Sequence, residues 1–201
     1  TLDAADGLNA SFFEITTAAA LLRFAEVSAD ACVIEVGLGG RLDATNVIED
    51  PLVCGIASLG IDHKEFLLAP EAGVPADPLT RIALEKAGIA KHGAPLVTQA
   101  YPLPMEAAIA EVAHSAGAPM LARGAAWDAK ARGGELHYRD AAGEFTLPLP
   151  AMAGAHQADN AALAVAMLRA QAHLAVPEAA LGAGISSARW PARMQRLGAG
   201  P

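Results

Sequence analysis

Short apolar runs of strand length alternate along this chain with longer segments patterned as helices, and that alternation restricts the fold more than any other feature. Ala31 to Val36 and Leu52 to Leu59 are apolar runs of strand length; Ala94 to Gln99 and Pro119 to Ala122 are shorter ones. Around them, Phe12 to Val27, Leu79 to Lys91, Leu103 to Ala116, His156 to Leu174 and Pro177 to Ile185 read as helices, with Asn9 and Ser11 available to cap the first. Strands alternating with helices predict an α/β fold, a mainly parallel sheet flanked by helices and joined by right-handed crossovers. Glu135 to Arg139 and Glu144 to Leu147 flank Asp140-Ala-Ala-Gly143, which predicts a small antiparallel hairpin. The sequence contains no internal repeat.

Composition decides how such a sheet is covered and what it avoids. Of 201 residues, 53% are hydrophobic, but alanine dominates and only 4% are aromatic, so small side chains must pack the helices closely. A net charge of -8 and a pI near 5.1 argue against a nucleic-acid partner or an anionic membrane surface. Cys32 and Cys54 fall in predicted strands without a CxxC pair, as expected of reduced core residues in a cytosolic protein. No apolar stretch is long enough to span a bilayer uninterrupted, and no signal segment opens the chain. The expectation is a cytoplasmic protein. Thr1 to Asn9 and Gly198 to Pro201 read as loops at two cut ends.

The chemistry gathers at the strand ends, where ligands bind in open parallel sheets. The run from Glu35 to Asn46 (EVGLGGRLDATN) places a carboxylate in a segment expected to be a strand buried on both faces, and follows it with a glycine-rich turn. A buried glutamate is costly unless a positive or hydrogen-bonding partner receives it. The next strand runs into Gly60-Ile-Asp-His63. Alone, His63 reads as a solvated loop residue; beside Glu35 it becomes a second ligand for one divalent cation, since magnesium needs few protein ligands and keeps its waters. On the helix from Leu79, Lys86 shares a face with Leu79, Ile82, Ala83 and Ala90, while Arg81 and Glu85 point elsewhere. Spacing alone favours a snorkelling Lys86 over a buried amine. Asn160, near the start of a helix, and Arg193, stiffened by Trp190-Pro191, are further candidates for anionic ligands, with capping and a surface turn as their simpler explanations.

SFFE at Ser11 to Glu14, EVGLGGRLDATN, SLGIDH at Ser58 to His63, EKAGIAK at Glu85 to Lys91, HQADNAALA from His156 and WPARMQRL from Trp190 follow one another in this order. Together they resemble the ATPase domain of the folylpolyglutamate synthase/dihydrofolate synthase family, relatives of the Mur ligases. The resemblance spans nearly the whole chain and is weakest from Met120 to Pro150. It implies that Glu35 and His63 bind Mg2+ and that Lys86 is the carbamylated catalytic lysine, against the snorkelling preference. It implies that Ser11, Phe12, Phe13 and Glu14, with Leu42, Asp43 and Ala44, line the pterin end of dihydropteroate or folate. Asn160 and Arg193 would contact ATP. The implied reaction is ATP-dependent addition of L-glutamate through an acyl phosphate, by a monomer.

The chain departs from that pattern in three respects. It carries no GxxxxGK[ST] phosphate loop, so that segment is expected before Thr1, and a carboxy-terminal glutamate-ligase domain after Leu197. Residues 1–188 are then a partial central ATPase and pterin-binding domain and 189–201 a linker, and the isolated chain is expected to be inactive. The run Leu68 to Pro78 is longer than the family's usual link and is expected to form a surface loop by the metal site. A noncatalytic pterin- or nucleotide-binding module is the competing reading. A nicotinamide oxidoreductase is the weaker third, since Gly37, Gly39 and Gly40 do not form GxGxxG.

Overall fold

A capping box opens the first helix. Ser11 Oγ accepts the Glu14 N–H at 3.2 Å and Glu14 Oε2 accepts that of Ser11 at 2.7 Å, which starts α1 (Phe12–Glu26). The computed structural model describes residues 7–61, 64–69 and 71–191. After α1 come the short elements β1 (Cys54–Ile56) and α2 (Lys64–Leu67), then α3 (Pro78–Ala87), β2 (Leu96–Thr98), α4 (Leu103–Ala116) and β3 (Met120–Ala122). The chain continues through β4 (Trp127–Arg132), β5 (Glu135–Asp140), β6 (Gly143–Pro148), α5 (Ala155–Ala170) and α6 (Glu178–Ser187).

Strands β1, β2 and β3 form a parallel sheet in that order, with Cys54 opposite Leu96 and Leu96 opposite Met120. The two-residue period of a strand sends alternate side chains to opposite faces, and both faces are covered. Leu96 and Ile56 join Ala83, Ala87, Met105, Ile109 and Ala113 under α3 and α4. Val97 faces the other way, into a core with Ala162, Leu163, Val165 and Ala166 of α5. Gly55 lies under Met167 of α5, with no room for a side chain between them. The α/β architecture read from the alternation is present.

The expected hairpin is one half of a three-stranded antiparallel sheet, β4-β5-β6. Its third strand, β4, was not anticipated, although Gly133-Gly134 between two alternating runs is the signal for such a turn; both glycines have positive φ (62° and 84°). Trp127, Ala129, Leu136, Tyr138 and Leu147 point inward onto α5 and α6 and complete the second core.

Three expectations require correction. Residues Ala31 to Val36 form no strand, and Val33 is 97% exposed. A strand is held by its ladder partners, and among the described residues none pairs with this stretch. Glu35 is accordingly exposed, so the cost of burying its charge does not arise, and Cys32 is exposed rather than core. Cys54 does lie in a strand, half-buried, with its thiol pushed up by burial. Two helices stop earlier than their pattern. α5 ends where the Gln171 amide donates to the Leu168 and Leu174 carbonyls and accepts the His173 and Leu174 N–H groups, replacing the next turn. α3 ends where the glycine turn claims its carbonyls.

Candidate functional site

The glycine turn docks on the last turn of α3. The Arg41 N–H donates to the Glu85 carbonyl at 2.8 Å, and Asn46 Nδ2 donates to the Arg41 and Gly88 carbonyls at 3.1 and 3.0 Å. Backbone packs directly on backbone. A Cβ at Gly40 would lie 2.9 Å from the Glu85 carbonyl, and one at Gly88 would lie 2.5 Å from Arg41 Cβ. The glycines of this run therefore serve close approach of two chain segments as well as turning. Lys91 Nζ donates to the Asn46 carbonyl at 2.9 Å and closes the far end of the dock.

A four-membered ionic cluster fills the base of the turn. Arg41 grips Glu85 through Nε at 3.1 Å and Nη2 at 2.9 Å, and Arg81 Nη2 reaches the same carboxylate at 3.1 Å. Glu71 accepts from Arg41 at 2.8 Å and from Arg81 at 2.6 Å. Arg81 and Glu85, expected to point away from the buried face of α3, are each only 5% exposed. A buried charge survives when it is paired: these two pair with each other across one helical turn, and Glu85 also pairs with Arg41 across 44 positions of sequence. The Glu85 hydrogen bond raises the Arg41 pKa further; the bond from Arg81 and then that from Arg41 hold the Glu71 carboxyl below its ordinary value. The loop from Leu68, expected at the surface, thus reaches the turn through Glu71.

Asp43 ties the turn to itself. Its carboxylate accepts the Leu38 N–H at 2.8 Å, the Thr45 N–H at 2.9 Å and the Thr45 hydroxyl at 2.6 Å, and it caps a short 3-10 helix over Ala44–Val47. Burial pushes its pKa up, but the Thr45 and backbone donors outweigh that and the net shift is downward. Leu42 beside it is 82% exposed and Ala44 half-buried.

The start of α1 meets this turn. A Cβ on Gly37 would lie 2.8 Å from Cε1 of the Phe13 ring, so the ring lies directly over the glycine. Phe12, like Leu42, is 82% exposed, while Ser11 and Glu14 are engaged in the capping box. The structure therefore brings Ser11–Glu14 and 42–44 to one region. It also places Lys86 there. Half-buried on α3, Lys86 neither snorkels freely nor is fully enclosed, and its Nζ donates to the Gly39 carbonyl at 3.4 Å.

Asn160 is exposed on the first turns of α5 and donates to Gln157 Oε1 at 3.4 Å. The sequence reading missed the group that holds this helix start. Arg123, at the end of β3, donates to Gln99 at 2.9 Å and to Asp159 at 2.6 Å, and also to the Ala129 carbonyl, joining both sheets to α5. Tyr101 was also missed. Its hydroxyl lies 2.8 and 2.6 Å from the Ile56 and Ala57 carbonyls, at the end of β1. His63 and Arg193 lie outside the described residues. Among the described residues, no three His, Cys, Asp or Glu side chains cluster as a metal site, and no helix is long and apolar enough to cross a membrane.

No family model matches the chain. It is 36% identical over 195 residues to the dihydrofolate synthase/folylpolyglutamate synthase of Escherichia coli, covering 96% of this chain and 42% of that protein. A probable bifunctional folylpolyglutamate synthase/dihydropteroate synthase of Halobacterium salinarum is 36% identical over 208 residues, covering 98% of this chain and 24% of the relative. The solved structure of E. coli FolC in complex with DHPP and ADP superposes with a TM-score of 0.82 at 36% identity, covering 96% of this chain and 43% of that one. The chain spans less than half the length of these relatives. Along nearly all of its own length, in sequence and in fold, it belongs with the folylpolyglutamate synthase/dihydrofolate synthase family.

Proposed function

We propose that this chain is the central portion of an ATP-dependent ligase that adds L-glutamate to dihydropteroate, to folates, or to both. The observation that carries the reading is the meeting of two distant segments: the Phe13 ring over Gly37 brings the start of α1 against the glycine turn, with the apolar side chains of Phe12 and Leu42 exposed beside it. A flat pterin stacks on such faces, and Ser11, Glu14, Asp43 and Ala44 stand close enough in sequence to meet its polar edge. In this reading residues 1–188 belong to this part of an ATPase domain, and 189–201 are a linker. The reading extends to a monomeric, cytoplasmic enzyme.

In this reading Asn160 and Arg193 contact ATP. An oxygen of the substrate carboxylate attacks the γ-phosphorus, and the bond to the β-phosphate oxygen breaks to release ADP. The glutamate amine then attacks the acyl carbon, losing a proton as phosphate departs. Lys86, beside the turn, is the catalytic lysine, carbamylated when active. When bound, magnesium would supply neutralisation of charge on the phosphoryl group. Its fit rests on donor chemistry: Glu35 offers an exposed hard-oxygen ligand, His63 would be the second, and water completes the shell that this ion prefers. The isolated chain is inactive in this reading, because its relatives are more than twice its length.

The experiment is phosphate release with dihydropteroate, L-glutamate, ATP and magnesium. This chain is compared with a longer protein carrying it, and with Glu35→Ala, His63→Ala and Lys86→Ala in the longer form. Turnover in the longer protein alone, lost in all three variants, supports the ligase. Absence of turnover together with tight binding of dihydropteroate or ADP would replace it with a noncatalytic binding module.

A further inference from the structure

Glu85 sits one residue before Lys86, yet its side chain points into the protein and belongs to the glycine turn. We infer that Glu85 is a positioning residue: by gripping Arg41 it locks the glycine turn onto α3, so that the Gly39 carbonyl restrains the Lys86 amine and residues 42–44 are held in register with it. The inference rests on the proposed roles of Lys86 and of residues 42–44.

Three observations carry it. The Glu85 carboxylate takes two Arg41 nitrogens at 3.1 and 2.9 Å, a bidentate pairing that fixes the orientation of the guanidinium as well as its distance. The Glu85 carbonyl takes the Arg41 N–H at 2.8 Å, so one residue of α3 holds one residue of the turn by side chain and backbone together. The contact from Lys86 to Gly39, at 3.4 Å, is long, so it restrains the amine only while the turn is itself held against α3. Arg81 supports the carboxylate from within α3, while Glu71 touches both arginines from the more exposed side. Were the cluster needed only for stability, its place at the root of the turn and beside the lysine would serve no purpose, since apolar side chains stabilise a buried position as well.

The test uses a longer protein carrying this chain, with Glu85→Gln, Arg41→Lys and Glu71→Gln. Brief acylation with acetic anhydride in carbon-dioxide-depleted buffer, where the Lys86 amine is free, is followed by peptide mass spectrometry, with Lys86 labelling scored against Lys130, whose side chain is 80% exposed. KM and kcat are measured separately for dihydropteroate and ATP. Glu85→Gln and Arg41→Lys are expected to raise the Lys86/Lys130 labelling ratio several-fold. They are expected to raise the dihydropteroate KM roughly tenfold or more while leaving the ATP KM within about twofold, with smaller changes in Glu71→Gln. Arg41→Lys keeps the charge at a partly exposed site and serves where Glu85→Gln folds poorly. An unchanged ratio in a folded variant overturns the inference. So does equal extra labelling of every lysine together with a lower Tm, which would mean a purely structural role. The ratio does not depend on turnover, so an enzyme that ignores dihydropteroate would sink the proposed function alone.

Discussion

Residues 31–36 and 37–46 adjoin in sequence but are held in opposite ways. In the first, Val33 is 97% exposed and the backbone joins no ladder. In the second, Gly39, Gly40 and Asp43 are buried, Arg41 is clamped by Glu85, and every polar group of Asp43 has a partner. The first segment is the more apolar and the second the more polar. Burial here follows available partners rather than hydrophobicity: among the described residues, backbone groups in the first stretch have no neighbouring strand, whereas the second finds α3 across 44 positions of chain.

The strongest way to break this comparison is Glu85→Ala. It strips the buried Arg81 and its neighbour Arg41 of the carboxylate they share and leaves them the more exposed Glu71, a loss of up to about 3–5 kcal/mol on the scale of broken buried pairs, read by urea unfolding. A loss under about 1 kcal/mol would mean that water reaches the cluster freely and that the turn is not held by it. Gly88→Ala comes next. Its new methyl would lie 2.5 Å from Arg41 Cβ, and separating the two segments should cost roughly 1–3 kcal/mol. An unaltered midpoint would show that the dock is loose.

Asp43→Asn probes the turn from inside and adds a pH signature. The folded state holds this carboxyl below its ordinary value, so its contribution is complete at neutral pH. It drains away as the pH falls below about 4 and through the lower folded pKa. The variant should be less stable by roughly 1–2 kcal/mol at pH 7, with the gap to the parent narrowing on acidification. A gap that is constant with pH would remove the charged hydrogen bonds from the account. The smallest effect belongs to Val33→Ser, expected within about 0.5 kcal/mol because the side chain touches little. A penalty near that of a core valine would show that this stretch is covered, and would erase the contrast.

Local signals were read well where they were sufficient. The Ser11 cap, the first helix (expected to Val27, ending at Glu26), the α4 span, β3 and the turn between β5 and β6 all follow from patterns a few residues wide. Strand β4 had such a signal in Gly133-Gly134 and was passed over. The failures elsewhere have another origin. Arg81 and Glu85 sit on what helical spacing marks as a polar face, and no window around them contains Arg41 or Glu71. The same limit hid Arg123, whose partners Gln99 and Asp159 lie 24 and 36 positions away.

The sequence by itself determined the α/β alternation, most helix starts, and the family through an ordered series of motifs. It also named Lys86 and the glycine turn as chemically unusual. Only the tertiary structure decided which charges are buried, that Ala31–Val36 is not a strand among the described residues, and that Phe13 lies over Gly37. The reason is range. Helix patterns and turns are set by sterics and hydrogen bonds within a few residues, whereas a buried ion pair or a strand exists only when a distant segment arrives to complete it.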